Sequence, residues 1–227
     1  MTIVTINGQR GSGAPEIGME VAQRLQYAYV DRQVLGEAAK RLGTTEEALE
    51  EKEVSALTGS RIIRALTRII NRVGTSGAIG DPFSPFGLGQ DYGELMAGRT
   101  VSEQSIDDER FLEATIAVVQ DLADAGDAVI VGRASNIILK DHAQALHVGL
   151  TSELSSRIAV VAQREELSLE DAEPFTARAE QARLEYFHRY FNVAADDPTH
   201  FHLMLNTHLL GRPRSVDTIV SSAQSAL

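Results

Sequence analysis

The sequence predicts an α/β fold of parallel strands and covering helices, with a phosphate-binding loop at its start. Three observations carry this. A β-branched run, "TIVTIN" at residues 2–7, stops at Gly8. "GQRGSGAP" follows at residues 8–15, with Gly8 and Gly13 at the separation of phosphate-loop glycines. Beyond it, "APEIGMEVAQRLQ" carries Ile17, Val21 and Leu25 at helical spacing, and "YAYV" then reads as a second strand. Strand, glycine loop, helix and strand make a βαβ unit.

Each later element follows from its pattern. Pro15 suits a first helical turn, where a missing N–H costs nothing. Residues 33–54 read as helix in two pieces, with Thr44 and Glu47 as a capping box for the second. In "RIIRALTRIINRV", residues 61–73, Ile62, Ile63, Leu66, Ile69, Ile70 and Val73 form one stripe, and Arg61, Arg64, Arg68 and Arg72 another. That helix could bury against a second copy of the chain; its arginine face could meet an acidic partner or simply be solvated. Residues 74–98 hold seven glycines and two prolines, a loop of the length that is functional or disordered. A helix follows from roughly Ser105 to Ala125. "DAVIVG" (127–132) and "ALHVGL" (145–150) read as strands, 152–191 as charged helix, "FHLMLNT" (201–207) as a last strand and 215–226 as a closing helix.

The 227 residues suffice for one α/β domain with a sizeable core. At 43% hydrophobic and 23% charged, the composition is that of a globular chain. A net charge of −11 argues against a nucleic-acid surface, which needs a basic excess, but not against a local phosphate site. With no cysteine, disulfides, thiol catalysis and cysteine-based zinc sites are excluded. No signal peptide and no apolar run of about 20 residues is legible, so the expectation is a cytoplasmic protein with no membrane partner. His200 and His202 are placed on one face of the last strand, and no third residue has metal-ligand spacing, so no resident metal is expected.

The loop departs from its general pattern. Glycines let backbone N–H groups converge on phosphate oxygens at a helix N-terminus. Ala14 stands where lysine would reach the outer phosphates, and Pro15 where a hydroxyl would hold magnesium. Arg10 lies inside the loop and could restore the charge; the lesser alternative is a tight strand–helix turn without ligand. Arg133 ends a strand, where ligands of open α/β sheets sit, and its planar guanidinium suits a phosphate or a neighbouring acid. Asp31 and Arg32 end the second strand, and Asp31 is also a plausible helix cap. Arg178, Arg183 and Arg189 lie in the late helical segment, where Arg178 and Arg189 share a face and Arg183 points elsewhere unless the helix breaks; Glu185 and Arg189 fit a surface pair.

The quoted segments "GQRGSGAPEIG", "YVDRQVL", "AVIVGRASNIIL", "ALHVGL", "RAEQARLEYFHRYF" and "DDPTHFHLMLNT" resemble, in order and over nearly the whole chain, the cytidylate-kinase-like family of nucleoside monophosphate kinase relatives. The resemblance implies a five-stranded parallel sheet flanked by helices, of the P-loop NTPase and nucleoside monophosphate kinase type. It implies a single domain over 1–227, with a helical and Gly-rich excursion at 54–104 and a lid-like helical segment at 165–195. The implied reaction is phosphoryl transfer from ATP, with magnesium arriving on the nucleotide, to a nucleoside monophosphate. Gly8, Gln9, Arg10, Gly11, Ser12, Gly13 and Ala14 would hold the donor, with Arg10 in the lysine's electrostatic role. Asp31, Arg32 and Arg133 would hold the acceptor, and Arg178 and Arg183 would close from the lid. Cytidylate kinases proper carry acidic residues on either side of the Gly-Arg pair; here Val131 and Ala134 stand there. That set keeps two alternatives open: a nucleotide-binding regulatory module without turnover, and a kinase for a small metabolite.

Overall fold

A computed structural model describes residues 3–31 and 101–225. They contain a five-stranded, wholly parallel sheet in the order β2-β3-β1-β4-β5. The strands are β1 (Ile3–Gly8), β2 (Ala28–Val30), β3 (Ala128–Val131), β4 (Ala145–Thr151) and β5 (Leu203–Asn206). The helices are α1 (Ala14–Leu25), α2 (Val101–Ala125), α3 (Ser135–Ile138), α4 (Leu154–Arg164), α5 (Leu169–Phe191) and α6 (Thr207–Ser225). Arg32, the helical pieces at 33–54, the arginine stripe at 61–73 and the Gly-rich loop at 74–98 lie outside the described residues.

The central strand is buried on both faces, as a parallel strand covered by helices must be. Side chains alternate across it. Ile3 packs with Val118, Val119 and Leu122 of α2, and Val4 and Ile6 pack with Ile17 and Val21 of α1 and Val216 and Ile219 of α6. Each such fully buried aliphatic side chain contributes about 1.5–3 kcal/mol. The strand order reverses direction at β1, so the crevice for a ligand opens beyond the carboxyl ends of β1 and its neighbours. Gly18 lets α1 lie close on the sheet: an added Cβ would stand 2.6 Å from Val131 Cγ2.

Several boundaries differ from the sequence expectation. The helix expected from Ser105 begins at Val101. The helical stretch at 152–191 resolves into two helices, α4 and α5. Ser168 caps α5 by accepting the N–H of Asp171 at 3.1 Å, and Glu166 just before it adopts a left-handed φ of 55°. The first helix thus stops at Arg164, and Ser168 opens the second at Leu169. The last strand shortens to Leu203–Asn206 because Pro198–His200 forms a 3-10 turn capped by Asp197. His200 and His202 consequently do not share a strand face. The His202 ring instead stacks on His147, with centroids 5.0 Å apart. The closing helix starts at Thr207, ahead of the expected 215, and Gly211 interrupts it with a φ of 72°. Among the described residues, no helix is long and apolar enough to cross a membrane.

Candidate functional site: a phosphate loop covered by α4 and α5

The glycine loop runs from the end of β1 into α1. Gly11 and Gly13 hold φ of 85° and 83°, a region open to glycine and strained for other residues. Gly13 is the N-cap of α1 and Pro15 falls in its first turn. Ser12 N–H closes the turn onto the Gln9 carbonyl at 2.9 Å. The N–H groups of Gly11 and Gly13 donate to no carbonyl among the described residues, as suits a loop that wraps an anion. Gln9 ties the loop to β4: its side-chain carbonyl accepts from the Thr151 hydroxyl at 2.9 Å and from the Ser152 N–H at 3.1 Å. On the other side, Thr207 at the start of α6 donates to the Ser12 carbonyl at 2.9 Å.

Two helices cover this loop. Gly11 lies so close to the first turn of α4 that a Cβ there would overlap the Arg157 carbonyl. From α5, the Glu180 carboxylate reaches the loop itself and accepts the Arg10 backbone N–H at 2.8 Å. A carboxylate oxygen is thus received by a backbone N–H of the glycine loop. Two guanidinium groups close on the same carboxylate: Arg183 at 2.6 Å and Arg157 at 3.9 Å. Arg183 is also held by both oxygens of Asp196, at 2.7 and 2.9 Å. Burial opposes its charge, but Glu180 and Asp196 outweigh that and raise its pKa.

Sequence reasoning assigned the missing cation to Arg10. In the structure its guanidinium pairs with Glu165 at 2.9 Å and lies over the Phe175 ring, 5.5 Å from its centroid. It therefore faces the α4–α5 connection, while its main chain serves the loop. Of the two lid arginines, α5 turns Arg183 inward and leaves Arg178 exposed. Five residues separate them, so their directions differ by about 140° on one helix. Neither Arg157 nor Glu180 was singled out in the sequence. Position held a signal for Arg157, since it lies in the first turn of the helix after β4, beside the loop. Glu180 offered none, because a carboxylate on a charged helix looks like any other.

The second edge of the site is the end of β3. Gly132, Arg133 and Ala134 take consecutive left-handed φ of 82°, 60° and 49°. Two non-glycine residues in this region in succession are costly, and such strain gathers at functional sites. Beneath them, Asn7 donates to the Ser135 hydroxyl at 3.3 Å. Tyr186 of α5 packs against Ala134; burial pushes its hydroxyl up to about 12, with the Arg133 charge acting the other way. Asp31 at the end of β2 accepts from the Tyr29 hydroxyl at 2.7 Å. Burial, and then that aspartate, raise the Tyr29 pKa well above its ordinary value.

Among the described residues, no three carboxylate or imidazole groups converge to hold a metal ion. The loop supplies no hydroxyl at Pro15, and the end of β3 no carboxylate at Val131 or Ala134. Magnesium fits this donor set only as part of a nucleotide substrate that keeps most of its water ligands.

A glycine loop between a central parallel strand and a helix, covered by two helices that bring arginines to it, defines a P-loop kinase fold. The signature of the cytidylate kinase-like family matches residues 3–209, and the chain belongs to that family. Membership places it among kinase-type phosphotransferases. An uncharacterized protein from Eubacterium ventriosum ATCC 27560 shares the fold at a TM-score of 0.64, with 14% identity over 99% of each chain. A shikimate kinase from Acinetobacter baumannii, solved in complex with shikimate, superposes at a TM-score of 0.48 with 11% identity, over 99% of this chain and 94% of that one. One from Bacteroides thetaiotaomicron superposes at 0.46 with 12% identity, over 99% and 97%. No curated protein matches the sequence.

Proposed function

We propose that the protein transfers the γ-phosphoryl group of ATP to a nucleoside monophosphate. The observation that carries this is the loop: a backbone N–H of Gly8–Gly13 already receives an oxyanion, and Arg157 and Arg183 close on that same oxyanion. Donor phosphates lie on the loop in this reading. The acceptor's phosphate lies at Arg133, with Asp31 and Arg32 at the neighbouring strand end. Phosphoryl transfer runs on alignment and charge neutralisation, so arginines on a covering helix are the parts it needs. Arg10 joins them by exchanging Glu165 for phosphate. That pair is about one-third exposed on each side, and such pairs are weak.

The test is ATP consumption in the presence of nucleoside monophosphates and, separately, small alcohols. Turnover with a monophosphate supports the proposal. Turnover only with a non-nucleotide acceptor makes the protein a small-metabolite kinase. Binding of ATP with no turnover on any acceptor makes it a regulatory module, a reading favoured by one observation, the Ala14, Pro15, Val131 and Ala134 set. On the best acceptor, Arg10→Ala lowers turnover more than ATP affinity, and Ala14→Lys in that background restores part of the rate. Parent-like turnover by Arg10→Ala removes Arg10 from the mechanism.

A further inference from the structure

We infer that Glu180 is an internal competitor for the loop's phosphate position, a carboxylate that ATP must displace to bind. This rests on the reading of the loop as the donor site. Glu180 sits on the inner side of α5 with its side chain only 16% exposed, flanked by Arg157 at 12% and Arg183 at 16%. Its Oε2 accepts the Arg10 N–H at 2.8 Å, while its Oε1 is 2.6 Å from Arg183 Nη2. No other side chain among the described residues accepts a loop N–H.

The surroundings are built for an anion larger than a carboxylate. Arg157 Nε and Nη1 and Arg183 Nη1 are buried and have no hydrogen-bond partner among the described residues. The Ser12 hydroxyl inside the loop is likewise buried and unpartnered there. One carboxylate has two oxygens and one charge, and it leaves these donors unmet. A phosphate chain carries more charge and more acceptor oxygens, and arginine forks match it well. The exchange does not strand Arg183, because Asp196 holds it through two further bonds. Glu180 leaves, Arg183 stays, and its freed N–H groups face the incoming phosphate.

The experiment is calorimetric titration of the full chain with ATP and with inorganic tripolyphosphate, a probe of the loop alone. Parent, Glu180→Gln, Glu180→Ala and Glu180→Asp are compared, with folding checked by circular dichroism. Glutamine keeps an acceptor for the Arg10 N–H but removes the charge. Aspartate keeps the charge but draws it back by one methylene. A charge-assisted bond of this kind is worth roughly tenfold or more in affinity. Glu180→Gln and Glu180→Ala are expected to bind both probes about tenfold tighter than the parent, and Glu180→Asp to fall between. Equal or weaker binding by the folded variants overturns the competitor while leaving the nucleotide site standing. Binding by none of the four, parent included, removes the donor-site reading and the competitor with it. If alanine unfolds the chain, glutamine and aspartate decide the question.

Discussion

Thr207 donates its hydroxyl to the main-chain carbonyl of Ser12 at 2.9 Å, across 195 positions of sequence, and stands 3.3 Å from the carbonyl of Thr151. One side chain at the end of β5 thus joins the phosphate loop to the end of β4. Thr207→Val keeps the shape and removes the bond, at a cost of about 1 kcal/mol. The expected melting temperature is lower by about 2–4 °C. ATP affinity should fall several-fold, while Thr207→Ser remains near the parent. Thermal melts with calorimetry check this, and a valine variant that binds ATP as the parent does would refute it.

Gly11 and Gly13 share a left-handed φ but differ in what surrounds them. A Cβ at Gly13 meets Ile17 Cδ1 at 3.6 Å and Glu16 Oε2 at 4.0 Å, both ordinary contacts, whereas one at Gly11 overlaps backbone of α4. Gly13→Ala should cost only the conformational strain, about 1–2 kcal/mol. Gly11→Ala should cost more, because the first turn of α4 must move away from the loop, and it should weaken ATP binding further. Urea denaturation of both variants tests the order, and equal losses would contradict the close approach.

Arg133 is expected to hold the acceptor and not the donor. Arg133→Met leaves the left-handed backbone as strained as before and removes only the guanidinium. Acceptor affinity should fall about ten- to a hundredfold, from a contact of about 1.5–3 kcal/mol, with ATP affinity nearly intact. Separate titrations of the two ligands check this. Loss of ATP affinity instead would move Arg133 to the donor side.

A buried histidine makes the fold sensitive to acid. The Leu139 carbonyl can only accept, so His147 Nε2 carries the proton and donates at 3.2 Å, and Nδ1 accepts from the Thr5 hydroxyl at 2.8 Å. Burial, with His202 and then His142 as charged neighbours, lowers His147 from 6.5 to about 4. The unfolded chain therefore binds more protons than the native one between these values. Stability from this group is full above pH 6.5 and is lost as pH falls towards 4. The loss is at most about 3 kcal/mol. Denaturant titrations across this range should show the slope, and His147→Gln should flatten it. An unchanged slope in the variant would mean that other groups set the acid limit.

The strands, the glycine loop and the helix behind it were legible because their signals are local. A β-branched run, Gly8 and Gly13 at phosphate-loop separation, and Ile17 and Val21 one turn apart are all decided within a few residues. Resemblance supplied the five-stranded sheet and the strand ends where a ligand would lie. The helix boundary at Ser168 was not legible because its cap is a single serine inside a charged stretch whose helical pattern runs on both sides of it.

By itself, then, the sequence determined that Arg178 and Arg183 cannot face the same way, since five residues on a helix separate them by about 140°. Only the tertiary structure decided which of them turns inward. It also decided that Arg10 gives the loop its main chain while its side chain goes to Glu165. And it brought Glu180, 170 positions away, onto the Arg10 N–H. Periodicity sets angles within one helix, but the face that meets the loop depends on how α4 and α5 dock, and docking is settled by burial and charge pairing between residues far apart in the chain.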